Sequence, residues 1–172
     1  LIDPVVNLNA PVDNTNSSNS TVIFNCSATD NLGLVNMTLY GNWTGSWHAN
    51  ETNNLSGISN STLFSKTLGD GNYIWNCLAT NINPNTVFSS LNYTLTVDTI
   101  APNISTVSSG SIGSSAATIS WTTNENSNSS LNFGTNLSVL GTIQQSTSLV
   151  TSHSVALSSL SASTLYYYNI TS

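Results

Sequence analysis

The sequence predicts an all-β protein built as two tandem β-sandwich domains. Three observations predict it. Apolar residues alternate with polar ones through short segments, the period of a half-buried strand. Turn residues punctuate the chain at short intervals, as in an all-β sandwich. The only two cysteines, Cys26 and Cys77, each sit inside such an alternating segment. At 172 residues the chain has room for two small sandwiches.

In the first half the turns fall at Asp13-Asn14, Asp30-Asn31-Leu32-Gly33, Asn53-Asn54, Gly69-Asp70-Gly71-Asn72 and Asn83-Pro84-Asn85. Strands between them are predicted over 4–9, 20–29, 34–40, 43–48, 60–68, 72–80 and 86–97. In a strand every second side chain faces the same way, so Val22, Phe24, Cys26 and Ala28 share one face, as do Tyr73, Trp75, Cys77 and Ala79. Two sulfurs on two apolar faces meet through a core. Cysteines placed in this way, outside any CxxC or Cys/His cluster, favour a structural disulfide and an oxidising compartment. The closed loop is worth about 3 to 4 kcal/mol in the chain-entropy account. This half resembles an immunoglobulin-like domain, 1–98.

Residues 99–102 read as a short linker. The Val97-Asp98-Thr99-Ile100-Ala101-Pro102 stretch resembles the junction between tandem immunoglobulin-like repeats of prokaryotic surface proteins, and Leu1-Ile2-Asp3-Pro4-Val5-Val6 resembles the same junction. On that resemblance Leu1 is the tail of a preceding repeat or the exposed arm of a polymer. No signal peptide opens the chain, as in a processed exported product or a segment of a longer one.

The second half, 103–172, carries Ala117-Thr118-Ile119-Ser120-Trp121-Thr122-Thr123 and ends on Leu160-Ser161-Ala162-Ser163-Thr164-Leu165-Tyr166-Tyr167-Tyr168-Asn169-Ile170. These resemble the tryptophan strand and the tyrosine corner of fibronectin type III domains, with Ala162-Ser163 where that family favours Pro-Gly. Tyr166 takes the corner position; in the first half Trp75 takes it and has no hydroxyl to use. A fibronectin type III domain needs one more strand after the one predicted at 164–172. The edge carrying Tyr166, Tyr167 and Tyr168 is therefore open, to be filled by a continuing chain or by another subunit's strand.

Composition narrows the function. Charged residues make up 5% of the chain against about 25% in an average soluble domain. Asn, Ser and Thr are nearly half of it: 26, 31 and 23 residues. A net charge of −6 with a single basic residue, Lys66, offers no patch for phosphates, which excludes nucleic acid as a partner. No stretch reaches the roughly 20 apolar residues of a membrane span.

The triplet Asn-x-Ser/Thr occurs 13 times, at Asn16, Asn19, Asn25, Asn36, Asn42, Asn50, Asn54, Asn60, Asn92, Asn103, Asn128, Asn136 and Asn169. Composition alone predicts about 8. At Asn25, Asn36, Asn92 and Asn169 the acceptor and hydroxyl flank an apolar residue that points inward, so both face solvent. Several are expected to carry N-glycans, with sugar supplying the solubility that charge supplies elsewhere.

No catalytic constellation assembles, and no cofactor is implied. His48 and His153 are the only histidines. His153 is predicted to be a solvated strand residue and His48 to pack beside an aromatic. Glu51 and Glu125 fall in separate domains, so no paired-carboxylate centre forms. Asp3, Asp30, Asp70 and Asp98 lie in turns or junctions; Asp3 and Asp98 are weak calcium candidates against a default of turn and cap roles. In Tyr40-Gly41-Asn42-Trp43-Thr44-Gly45-Ser46-Trp47 the aromatics are candidates for a sugar-stacking platform. The competing role puts one Trp against the disulfide and the other over an edge or a neighbouring subunit.

The nearest resemblance is to repeat-built surface and filament proteins of archaea and some bacteria. It implies a secreted, non-enzymatic structural glycoprotein of the cell surface, partnered by copies of itself or adjacent repeats. The alternative is an adhesion module that binds surface glycans of other cells through Trp43 and Trp47.

Overall fold

The computed structural model describes residues 3–172, so the Leu1-Ile2 start of the predicted opening junction lies outside them. Among the described residues the chain forms thirteen strands and no helix. It divides into two units, Leu1–Ile100 and Ala101–Ser172.

Unit 1 contains β1 (Val5–Ala10), β2 (Thr15–Ser17), β3 (Thr21–Thr29), β4 (Leu34–Gly41), β5 (His48–Asn54), β6 (Ser59–Thr67), β7 (Gly71–Asn81), β8 (Thr86–Phe88) and β9 (Tyr93–Val97). One sheet runs β1-β3-β6; the other runs β2-β9-β7-β4-β5, with β8 also on β7. β2 joins β9 in parallel and the remaining pairs are antiparallel. The alternation seen in the sequence decides what lies between the sheets. Val22, Phe24, Cys26 and Ala28 are buried from β3, and Trp75, Cys77 and Ala79 from β7, with Met37, Leu39, Phe64 and Leu95 completing the core. Cys26 and Cys77 form the disulfide, with their Cα atoms 6.5 Å apart. Phe24 meets Trp75 edge-on at 5.0 Å and stacks on Trp43 at 5.3 Å, an arrangement that adds directional attraction to the buried area.

Three local expectations are corrected here. Residues 43–47 turn rather than form a strand, and His48 begins the strand that follows, β5. Gly45 turns the chain at φ +97°, and the Trp43 ring folds back onto Phe24. β5 has no apolar alternation because its partners are polar: Glu51 pairs with Lys66 of β6, and Asn53 Nδ2 donates to Thr62 Oγ1 at 2.8 Å.

The predicted strand at 86–97 is two strands, β8 and β9, separated by a detour over Ser89–Asn92. The buried Asn76 fills the gap. Its Oδ1 accepts from the Cys77 and Ser89 N–H groups at 2.7 and 3.2 Å. Its Nδ2 donates to Ser89 O, Leu91 O and Asn92 Oδ1 at 3.1, 3.2 and 2.8 Å. The third correction concerns Trp75: the corner role predicted for its position falls to Tyr73, two residues earlier. Tyr73 Oη donates to the Gly69 carbonyl at 2.9 Å, while the Trp75 indole is buried on Phe24 and Tyr93.

Gly41 is fixed by packing. A Cβ there would overlap the six-membered ring of Trp43. Gly41→Ala should push Trp43 off Phe24 and cost about 1 to 3 kcal/mol, an overpacking penalty. Near-ultraviolet circular dichroism and a urea titration read both effects; an unchanged aromatic signal would contradict this account.

Unit 2 contains β10 (Ile104–Gly110), β11 (Ala117–Gly134), β12 (Thr142–Leu157) and β13 (Tyr167–Thr171). β11 pairs with β12 along its length; on its other side it pairs with β10 through its first part and β13 through its last. At about 3.3 Å per residue, a straight β11 would hold Ile119 and Phe133 about 46 Å apart. Both belong to one core with Trp121, Leu131 and Leu157. The strand therefore bends, and its register shifts between Thr122 and Ser127 mark the place.

Candidate functional site

The two tryptophans predicted to act together are separated. Trp43 belongs to the core side through Phe24. Trp47 is 41% exposed and groups with Tyr40 and Phe88, also 37% exposed, at ring distances of 5.9 and 6.2 Å; Tyr40 and Phe88 meet edge-on at 4.8 Å. Tyr40 alternates with the buried Leu39 and Gly41 of β4, and Phe88 is in register with Leu78, which alternates with Cys77 and Ala79 of β7. Both therefore lie on the outer face of their sheet. The patch is Tyr40, Trp47 and Phe88. Sequence reasoning missed Phe88 because its strand pairs over only three residues. His48 was expected beside an aromatic; its ring bonds instead to Thr44 Oγ1 and the Ser46 carbonyl.

None of the thirteen sequon asparagines is buried. Asn16, Asn19, Asn54, Asn92, Asn103, Asn128, Asn136 and Asn169 are exposed; Asn25, Asn36, Asn42, Asn50 and Asn60 are half-buried. Their amides differ in what they are already doing. Asn50 Nδ2 donates to Gly41 O and His48 O, and Asn60 Nδ2 to Ser56 O, which engages the atom that a glycan would use. Asn42 and Asn92 use only their Oδ1 atoms, accepting from Ile74 N at 2.9 Å and Asn76 Nδ2 at 2.8 Å.

The aspartates serve the backbone. Asp70 Oδ1 accepts from Thr99 N and Oγ1 and so ties its turn to the segment after β9, and Asp98 Oδ1 accepts locally from Ile100 N. Asp3 is exposed at the start of unit 1. Among the described residues no three His, Cys, Asp or Glu side chains gather as metal ligands.

Asp30 is buried, with Oδ2 accepting from Asn81 Nδ2 at 3.0 Å and Oδ1 from the Leu32 and Gly33 N–H groups. The Asn81 amide is the largest influence holding its carboxyl below the ordinary range; burial opposes it and the two backbone donors assist. The Thr94 backbone N–H does the same for Asp13, aided by the Thr94 hydroxyl.

Depressed folded-state values mean that this stability is fully present above the unfolded carboxylate range, about 3.9, and is lost as pH falls through the folded values. Urea midpoints for unit 1 should therefore decline on acidification below about pH 4. Asp30→Asn should shallow that decline. An equally steep acid limb in the variant would remove Asp30 from the explanation.

His153 is the clearest correction in unit 2. It is 3% exposed, not solvated, and its ring stacks on Trp121 at 5.1 Å. The signal was present in the sequence: His153 shares its parity with Val155 and the buried Leu157. Nε2 lies 3.0 Å from Thr123 Oγ1 and 3.4 Å from Ser127 Oγ. Ser127 is itself buried and donates to Thr123, so this contact has no exposed nucleophile.

The tyrosines at the end of the chain take different places. Tyr166 precedes the edge strand rather than belonging to it, and its Oη accepts the Ser161 N–H at 2.9 Å. Tyr167 and Tyr168 open β13, which pairs with β11 alone among the described residues. Beside it is a cavity of about 510 Å³, lined by Ile119, Phe133, Leu157, Leu160, Leu165 and Tyr168 among others.

No protein-family model matches the sequence, and no curated protein matches it. Solved structures do match. Domains A168–A170 of titin superpose with a TM-score of 0.64 at 11% identity, over 98% of this chain and 60% of that one. The FN1–FN3 domains of chicken CNTN1 superpose with a TM-score of 0.54 at 15% identity, over the same two shares. The fold is the fibronectin III-like β-sandwich. This chain spans 60% of the length of each of those structures.

Within that fold the two units carry different features. Unit 1 is closed by its disulfide and presents the aromatic patch on an outer sheet face. Unit 2 is a fibronectin III-like sandwich whose β13, among the described residues, has a partner on one side only.

Proposed function

We propose that this chain is a structural segment of an extracellular, glycosylated cell-surface filament or stalk. Its sandwich modules associate with copies of themselves or with neighbouring repeats, and the open edge of β13 is filled by a continuing chain or by another subunit's strand. The observation that carries this reading is the unpartnered edge of β13 beside an apolar cavity. Ladder groups on such an edge and apolar side chains beside it are what an added strand satisfies together. A core-crossing disulfide and thirteen sequon asparagines with none buried support an extracellular setting.

Sedimentation and negative-stain microscopy over a range of concentrations test it. The chain should form oligomers or fibres, and Tyr168→Lys, which places a charge on the edge, should abolish them. A folded chain that stays monomeric at every concentration would overturn the assembly reading.

A second reading, an adhesion module that binds glycans of other cells, is favoured by the exposed Trp47 and Phe88 rings and the half-buried Tyr40 beside them, whose faces suit the apolar faces of sugars. It predicts glycan binding that Trp47→Ala abolishes with the fold intact. Retained binding in that variant would reject it.

A further inference from the structure

We infer that Asn92 is an occupied glycosylation site and that its N-linked oligosaccharide lies over the Tyr40, Trp47 and Phe88 patch of the same chain. The inference rests on the glycoprotein reading above and adds to it one acceptor and one resting place for the sugar.

A chain of observed contacts joins the acceptor to the patch. Asn92 is exposed and ends the detour that begins just after Phe88, so acceptor and ring are held by one short segment. That segment is fastened to the sheet by Asn76, whose Nδ2 grips Asn92 Oδ1 at 2.8 Å and the Ser89 and Leu91 carbonyls. Asn76 is in turn the cross-strand partner of Tyr40. Directly opposed residues have Cβ atoms about 5 Å apart, and the Tyr40 ring meets Phe88 at 4.8 Å and Trp47 at 5.9 Å.

The orientation of the amide also fits. Oδ1 is held by Asn76, and among the described residues the geminal Nδ2 makes no hydrogen bond. The buried Asn76 therefore presents the attachment atom while its backbone neighbours hold the patch. Asn50 and Asn60 have spent the same atom on backbone carbonyls, and Asn42 is half-buried.

The ligand chemistry follows from the surface. Pyranose rings offer a face of C–H bonds that stacks on aromatic faces and a rim of hydroxyls that bond to amides and hydroxyls. Tyr40, Trp47 and Phe88 supply the first need and the surrounding Asn, Ser and Thr surface the second. Covalent attachment makes the contact intramolecular, so weak stacking suffices to keep it formed.

The test compares the full chain made in an N-glycosylating host with the same chain made in a host lacking that pathway. Mass spectrometry maps sequon occupancy, and hydroxyl-radical footprinting measures oxidation rates at Trp47 and Phe88. We expect sugar on Asn92 and several-fold slower oxidation of both rings in the glycosylated chain. Asn92→Gln, made in the glycosylating host, should lose this protection and Asn42→Gln should keep it.

Occupied Asn92 with equal oxidation in the two preparations would overturn the inference and leave the glycoprotein reading standing. Sugar on other acceptors but not on Asn92 would do the same. No sugar on any acceptor would overturn both. Protection of the non-glycosylated chain by added free oligosaccharide would assign the patch to binding in trans and overturn the placement argued here.

Discussion

Replacing both half-cystines with alanine should lower the stability of unit 1 by about 3 to 4 kcal/mol, from the loop-closure entropy returned to the unfolded chain. Cys26 and Cys77 are 51 residues apart, long enough for that term to be large. Alanine is the right replacement because both side chains are fully buried, and serine would add two hydroxyls that need partners. Small domains have only about 5 to 15 kcal/mol in hand, so this loss is a large part of the total. With a urea slope of about 1 to 3 kcal/mol/M, the midpoint should fall by about 1 M or more. A fall of a few tenths would mean that Phe24, Trp75 and Trp43 hold the sheets together without the bridge. The same experiment bears on the proposed setting, because a module that depends this strongly on its disulfide fails where thiols stay reduced.

What could be read from the sequence, and what could not, divides along one physical line. Strands whose inward residues are apolar announced themselves: β3 and β7 were found with their faces assigned, because Phe24, Cys26, Trp75 and Cys77 alternate with polar neighbours. β5 was missed because it is an edge strand whose side chains meet Lys66 and Thr62, so hydrophobic periodicity has nothing to report. The break between β8 and β9 was hidden for a related reason. The groups that replace the lost ladder bonds belong to one asparagine among 26 in the chain. His153 is a different failure: a polar ring on an alternating strand reads as an outward position, although it shares its parity with Val155 and Leu157. A buried ring stacked on Trp121 overrides that preference. At the candidate site the sequence supplied Trp47 and the acceptor asparagines. It did not supply Phe88 or Asn76, which join them only through strand register.

Asn76 is where that register is most exposed to change, and Asn76→Ala should cost about 2 to 4 kcal/mol. Five hydrogen bonds converge on an amide that is 2% exposed. Leu91 and Asn92 are exposed, so water replaces what they lose. The Ser89 N–H keeps the Cys77 carbonyl at 3.2 Å, but the Cys77 N–H lies in the core and the Ser89 carbonyl is half-buried; each group left unsatisfied there costs about 1 to 3 kcal/mol.

Asn76→Asp separates hydrogen bonding from shape. It keeps the oxygen that accepts from Cys77 and Ser89 and turns the donating nitrogen into a second charged oxygen facing two carbonyls and Asn92 Oδ1. This variant should be at least as unstable as the alanine variant near neutral pH despite its nearly identical volume. Burial and those three oxygens disfavour the carboxylate, so its folded-state pKa is raised above the unfolded value. Linkage then sets the sign. The penalty is present at neutral pH and relaxes as pH falls through the raised folded value, where a proton restores one donor. The Asp variant should therefore gain on the parent chain as pH drops toward 5, before Asp30 and Asp13 begin to lose their contributions. Hydrogen exchange at Ser89–Asn92 should accelerate in both variants. If exchange there stays slow and the Asp variant is as stable as the parent at neutral pH, Asn76 does not hold the detour, and the placement of Asn92 beside the aromatic patch loses its support.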